Sequence, residues 1–432
     1  MSAIRGKTIR TQAFIPSLTG LRFIAAGCVV ISHTLIALTP PASTKPLWLY
    51  LMSSVSGLGM TLFFVLSGFV IHYTYFYTMR RDAGVGVYNF FVARFARLYP
   101  LYFVCLVIDL EFSRNTRGAI SGLLTGHLAG PAFIWDTLPY YLTLTQSWFY
   151  RVNDTNAMIY HFGSMASLSW SISTEWFFYL IYPIFGIALA RLVSLRAHLI
   201  SAAILTIIGY SIVTVAFRFF GEINQFGISH FGMIADVDTH QQDSFFRWLV
   251  YFSPYSRLPE FLLGSLTASA FLRLQDTPPS ARESKYGFLA LALGILGIII
   301  LQYIMFGMGY LTSYHMSFGF APLVAIVIFC CARYRNVIID ALGSRLMLIG
   351  GDCSYSIYLL HVVVIGLVLR TASPILTFGM KDAFWLGFIL VAILLVSIAA
   401  YQLWERPARR FFRSVMIGTR PLSTTRAATT AE

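Results

Sequence analysis

The chain has 432 residues, of which 57% are hydrophobic and only 11% charged, and its formal net charge is +13. An ordinary soluble protein carries roughly 25% charged residues, so this chain lacks the charge to cover a water-facing core, and a soluble globular fold is excluded. The bilayer is the solvent that remains, because helices satisfy their own backbone groups and turn apolar side chains toward lipid. The expected fold is all-α, a polytopic membrane helical bundle with one transmembrane domain over residues 14–413, a cytoplasmic leader (1–13) and a flexible cytoplasmic tail (414–432). The leader has basic residues but no apolar core ending in a small-residue cleavage site, so no signal peptide is read. Cys28, Cys105, Cys330, Cys331 and Cys353 all fall in apolar stretches, which argues against a disulfide framework or a metal site.

A span needs about 20 mostly apolar residues. The first candidate, residues 15–38, carries Arg22 and His33. Eleven residues at ~1.5 Å rise set these roughly 16 Å apart on nearly one face. Ionisable groups at membrane depth are expensive and are treated as functional candidates; the plainer reading is a snorkelling Arg and a packing His. The second span, 54–78, contains Phe63-Phe-Val-Leu-Ser-Gly-Phe69, small residues among large ones, which by itself indicates close helix packing. The third, 90–112, begins with Arg94 and Arg97 on one helical face. Forked guanidinium groups there suit phosphates, and anionic lipid headgroups would use them equally well.

Residues 113–169 hold only shorter apolar pieces (118–134 and 138–149) broken by glycine and proline, so they are expected to be re-entrant or surface-lying. The fourth span, 170–193, opens with Trp170-Ser-Ile-Ser173-Thr-Glu175, which brings a carboxylate into the membrane among aromatics. A fifth follows at 198–220. The sixth, 247–272, carries Arg257-Leu-Pro-Glu260; the two charges are three apart and can pair with each other, while Pro259 at the same level more often marks a cavity. The seventh and eighth are read at 286–306 and 318–333. The ninth, 354–372, sets Ser354, Tyr358 and His361 on one face, as helix glue or as a polar cavity wall. The tenth is read at 383–404.

Orientation follows from Lys and Arg in the connecting segments. With the N-terminus inside, the cytoplasmic segments hold 21 of the 31, the outer segments hold eight, and Arg22 and Arg257 lie within spans. Both termini are therefore expected in the cytoplasm. The positive balance is a topology signal and calls for no nucleic acid.

Taken together, these residues resemble the membrane-bound acyltransferase-3 family, the bacterial O-acetylases of surface sugars and related acceptors. The resemblance runs from about Leu18 to Arg413. Arg22 and His33 match that family's Arg-x10-His signature, and Phe64-Val-Leu-Ser-Gly-Phe69 its second-span motif. Arg94, Arg97, Leu98, Pro100 and Tyr102 match its Arg-x-x-Arg-Leu-x-Pro-x-Tyr segment. Ser171 to Glu175 with Phe178 and Tyr179 looks like its Trp-Ser-Leu-Ser-x-Glu-x-x-Phe-Tyr element, with Ile172 in place of Leu and Trp176 where Glu is common. Ser354 to His361 and Glu405-Arg-Pro407 fit as well.

The resemblance implies an O-acyltransferase of the bacterial cytoplasmic (inner) membrane. It would take an acyl group, usually acetyl, from acetyl-CoA or another acyl-CoA in the cytoplasm to a hydroxyl of a carbohydrate or glycolipid outside, with membrane lipids around it and no metal. Arg94 and Arg97 would hold CoA phosphates, with Arg22 deeper. His33 would be the general base, and Glu175 would orient it, stabilise its cation or hold the sugar. Trp170, Ser173, Arg257, Glu260, Ser354, Tyr358 and His361 are the expected acceptor-side or cavity-lining residues. Some members carry a periplasmic hydrolase-like domain after the last span; only a short segment follows Glu405 here, so a member that must finish the transfer with such a domain would need a separate periplasmic partner. The competing class is a transporter or flippase of lipid-linked saccharide. It too wants midplane charges, but not paired arginines on the cytoplasmic face.

Overall fold

A computed structural model describes residues 12–39, 46–81, 83–114, 116–127, 133–152, 157–192, 194–232, 244–307, 317–372 and 380–417; most of the leader, most of the tail and the acidic stretch 233–243 lie outside them. Among the described residues the fold is helical throughout, with no β-strand. Ten long helices follow the expected spans in order: α1 (Pro16–Leu38), α2 (Ser56–Arg81), α3 (Ala83–Phe112), α4 (Trp170–Ala190), α5 (Leu195–Arg218), α6 (Pro254–Leu274), α7 (Ala281–Gly307), α8 (Ala321–Arg333), α9 (Ser354–Ala372) and α10 (Met380–Ala400). All five cysteines are free thiols, four of them buried.

Eight of these are long and apolar enough to cross a bilayer. The other two, α6 and α8, depart from expectation in opposite ways. α8 is apolar but has 13 residues. α6 has 21 residues but carries Arg257, Glu260 and several serines. Its position explains this: α2, α4, α5 and α8 all pack against it, so it presents little surface to lipid and has no need of an apolar coat. By contrast, α5 exposes Ile200, Ile204 and Ile207, and α7 exposes Leu293, Leu296 and Ile300, the apolar faces that lipid would cover.

The most extensive helix contact joins α6 to α2. A Cβ on Gly68 would strike the carbonyl of Phe261, and one on Gly264 the carbonyl of Val65, so the two backbones touch where both chains have no side chain. Ser265 Oγ donates to Gly68 O across the crossing at 3.2 Å. Small residues at a crossing are how membrane helices gain dispersion contacts. Gly264→Val is therefore expected to remove most folded protein, because overpacking costs about 1–3 kcal/mol even against movable side chains and here the obstacle is backbone. Gly27→Ala, where a Cβ meets nothing within 4 Å, is the matched control; equal melting temperatures in detergent for the two variants would refute the crossing argument.

Among the described residues, no helix between α3 and α4 is long enough to span. The described part holds short helices Ala119–Leu124, Phe133–Leu142 and Ser164–Leu168, and several of its carbonyls are met by side chains. Tyr102 donates to Tyr141 O at 2.7 Å, Tyr141 to Met158 O at 2.7 Å, Ser173 to Leu144 O at 2.8 Å and Trp248 Nε1 to Ser147 O at 3.0 Å. Non-helical backbone at membrane depth is tolerated only when so satisfied.

Two π turns adjust the bundle. Trp248–Phe252 precedes α6, so the helix expected from 247 begins at Pro254, a proline suited to a first helical position. Tyr401–Glu405 follows α10 and brings Glu405 inward, where Oε2 accepts from Ser356 Oγ at 2.6 Å and Oε1 pairs with Arg409. An amphipathic helix, Arg406–Ile417, then lies along α3. Phe412 packs edge-on against Phe95, Tyr88 donates to Met416 O at 2.8 Å, and Trp404 Nε1, just before this helix, donates to Pro100 O at 3.2 Å.

Candidate active site

Helices α1, α2, α3, α4 and α9 converge on a narrow cavity of about 60 Å³ whose lining includes Arg22, Ser67, Arg94, Arg97, Ser171, Glu175, Ser354, Tyr355 and Tyr358. Six residues expected from sequence are thus brought to one place. Three are arginines and one is a carboxylate, so the interior has an excess of positive charge and suits an anion.

The arginines are held differently. Arg94 is buried in an aromatic cage, its guanidinium facing the rings of Tyr75, Phe90 and Tyr179 at 5.1, 5.8 and 5.6 Å. It donates to the Tyr75 hydroxyl at 3.2 Å and leaves Nε without a hydrogen-bond partner. Arg97, one turn on, is half-buried. Arg22 enters from α1 and feels Arg94, Arg97 and Glu175. Glu175 Oε1 accepts from Ser67 Oγ at 2.8 Å and from the Tyr179 hydroxyl at 2.5 Å. An orphaned guanidinium donor beside two further cations is the arrangement an anionic ligand completes.

His33 does not line this cavity. It pairs with His361 instead: Nδ1 of His33 lies 2.9 Å from Nε2 of His361, with ring centroids 5.1 Å apart and stacked. The tautomers follow from the partners. Nδ1 of His361 faces the carbonyls of Tyr358 at 2.7 Å and Ile357 at 3.3 Å. Carbonyls only accept, so this nitrogen carries hydrogen and Nε2 is the bare acceptor. His33 must then donate through Nδ1, which leaves its Nε2 free to take a proton. Tyr358 links the two regions, because it lines the cavity and its ring lies 6.1 Å from that of His361. Its hydroxyl accepts from Ser171 Oγ at 2.7 Å and donates to Leu168 O at 2.9 Å.

Several expectations need correction. Glu175 is not in contact with His33, since its hydrogen bonds go to Ser67 and Tyr179; the ring that meets His33 is that of His361. Trp170, Ser173, Arg257, Glu260 and His361 are not part of the lining. Arg257 and Glu260 pair with each other, Nη1 to Oε1 at 3.1 Å, with no side-chain exposure. Glu260 Oε1 also accepts from Thr61 Oγ1 and the Phe318 amide, both at 2.9 Å. Arg257 Nε donates to Tyr251 O, a carbonyl of the π turn, at 3.0 Å, and Trp170 covers the guanidinium at 5.9 Å. Ser173 serves the 144–147 segment. These are structural buttresses one layer behind the cavity.

Sequence reasoning passed over Ser67, Tyr75 and Tyr355. Ser67 sits in Phe63–Phe69, where a small polar residue reads as packing. Tyr355 donates to Leu98 O at 2.6 Å and fixes α9 against the arginine helix. Only Ser67, between Leu66 and Gly68 in an apolar run, stood out as a hydroxyl at membrane depth; Tyr75 and Tyr355 lie beside other hydroxyl residues and gave no separate signal.

Comparison with known proteins fits this geometry. The acyltransferase-3 family profile, described as an acyltransferase domain, matches residues 15–402. Acyltransferase MdmB of Streptomyces mycarofaciens is 32% identical over 176 residues, covering 39% of this chain and 38% of that protein. The putative peptidoglycan O-acetyltransferase YrhL of Bacillus subtilis is 24% identical and peptidoglycan O-acetyltransferase OatA of Listeria monocytogenes 21% identical; each alignment covers 93% of this chain and 56% of the relative. The chain thus spans only about half the length of these two relatives. No solved structure matches it. With nearly every helix of the bundle inside the matched region, the chain belongs to the acyltransferase-3 family.

Proposed function

We propose that the protein is an O-acetyltransferase that takes its acyl group from acyl-CoA in the cytoplasm and delivers it to a hydroxyl of a carbohydrate on the other side of the bacterial cytoplasmic membrane. The observation that carries this reading is the single cavity in which Arg22, Arg94 and Arg97 outnumber Glu175, and whose wall at Tyr358 adjoins the His33–His361 pair. The distribution of Lys and Arg supports the arginine end facing the cytoplasm. The phosphates of the donor would sit among Arg22, Arg94 and Arg97, and the thioester arm would reach inward toward Tyr358. Nε2 of His33 would take the acceptor hydroxyl's proton as the new C–O bond forms and the thioester C–S bond breaks; the proton then leaves with the departing thiolate.

Arg97→Ala is expected to weaken acetyl-CoA binding by about tenfold or more, the scale of one lost charge-assisted hydrogen bond to phosphate. Arg97→Lys should recover only part, because it lacks the planar fork. Calorimetry on the purified full chain with acetyl-CoA reads this directly. Unchanged affinity in both variants would return these arginines to anchoring lipid headgroups and remove the donor from the cavity.

A further inference from the structure

A second cavity opens at the far end of the same two helices. The Tyr355 hydroxyl on α9 meets Leu98 O on α3, which fixes their register. Eleven residues further along each helix, roughly 16 Å at helical rise, Gly366 and Asp109 line a cleft of about 530 Å³. Ser113, Arg114, Ser164 and Arg370 line it as well. On α9, Tyr358 belongs to the first cavity and Val362 to the second; His361, which holds His33, stands between them in sequence and on the helix.

The second cleft has its own charge balance. Arg114 and Arg370 are exposed, and neither hydrogen-bonds nor ion-pairs with any described residue. Asp109 is the one carboxylate in the lining, and it is committed elsewhere: it is buried, and its Oδ2 accepts from the Ala166 amide at 2.6 Å, which ties the 163–167 turn to α3. Two cations without a partner among the described residues therefore face the opening, and Ser164 adds an exposed hydroxyl.

We propose that this cleft is the acceptor site and that it takes a saccharide bearing negative charge, with the carboxylate or phosphate read by Arg114 and Arg370. The inference rests on the acyltransferase reading for its meaning but not for its test. Guanidinium pairs recognise such anions through charge-assisted, planar hydrogen bonds, while sugar hydroxyls find partners in the cleft's serines. A ligand held here has its uncharged end toward the histidine pair, and the donor approaches the same pair from the opposite cavity.

The experiment measures binding of two fluorescently labelled tetrasaccharides to the purified full chain in nanodiscs, without acetyl-CoA. One is a hyaluronan tetrasaccharide, which carries glucuronates; the other is a neutral chitotetraose. The wild type is expected to bind the charged sugar at least about tenfold more tightly, the scale of one charge-assisted contact. The double variant Arg114→Ala, Arg370→Ala should bind both sugars equally, and Arg114→Lys, Arg370→Lys should keep only part of the preference, because lysine has the charge but lacks the planar fork. Acetyl-CoA affinity, measured separately, should be unchanged in both variants, so a failure of the donor reading is seen independently. Equal binding of the two sugars by wild type, or a preference that survives the double alanine variant, overturns the proposal. So does a preference that vanishes when phosphatidylglycerol replaces phosphatidylcholine in the nanodisc, which would make the arginines a lipid-headgroup site.

Discussion

His33→Gln is expected to abolish acetyl transfer as completely as His33→Ala, a loss of about 10²–10⁴ in rate, while acetyl-CoA binds with wild-type affinity. Glutamine keeps a hydrogen bond but cannot take up a proton. The contrast comes from the partner histidine. His361 Nε2 accepts from His33 Nδ1, and its own Nδ1 is occupied by the Tyr358 carbonyl, so its work is to hold the right tautomer rather than to carry charge. At 361, glutamine can reproduce both contacts, its amide oxygen accepting and its amide nitrogen donating, whereas leucine can reproduce neither. His361→Gln should therefore retain most of the turnover, and His361→Leu should lower kcat with little change in KM for acetyl-CoA. Transfer rates at matched membrane expression decide it. Near-wild-type activity in His33→Gln would end the base assignment and leave the pair a packing feature.

The largest stability effect is expected at Glu260. Its Oε1 collects Arg257, Thr61 and the Phe318 amide, and both side chains of the ion pair are fully buried. Removing one partner of a buried pair strands the other charge and typically costs about 3–5 kcal/mol. Glu260→Ala should accordingly lower the melting temperature in detergent sharply, with little folded protein recovered. The double change Glu260→Leu, Arg257→Met removes both charges and keeps volume, and it should melt well above Glu260→Ala, since replacing a whole buried pair is often near neutral. If the double variant melts no higher than the single one, the pair is not acting as a compensating unit.

How far this was legible in the sequence depends on the distance over which the information travels. Arg94 and Arg97 share a turn, and Arg257 and Glu260 are three apart on one helix, so helical geometry alone brought each pair to view. The partnership of His33 with His361 crosses 328 residues, and no periodicity reports it. Glu175 was visible as a carboxylate at membrane depth, but not its attachment to Ser67, because a serine in an apolar run reads as a packing residue until the facing helix is known. The ten helices were readable because lipid imposes hydrophobicity, although α6 is nearly lost by that criterion. Its environment is protein rather than lipid, and hydropathy measures only the latter.

The clasp between α3 and the terminal helix has a consequence for synthesis. Trp404 reaches back to Pro100 across 304 residues, and Phe412 and Met416 close on Phe95 and Tyr88, so the arginine helix is braced by a segment made long after it. At about 5–20 residues per second, roughly 15–60 s separate the emergence of the two. Throughout that interval α3 has been made but not fastened, and Arg94 and Arg97 stand in a wall that is still open along one side. A chain ending before the clasp thus leaves the cavity that holds Arg94 and Arg97 without its brace on that side.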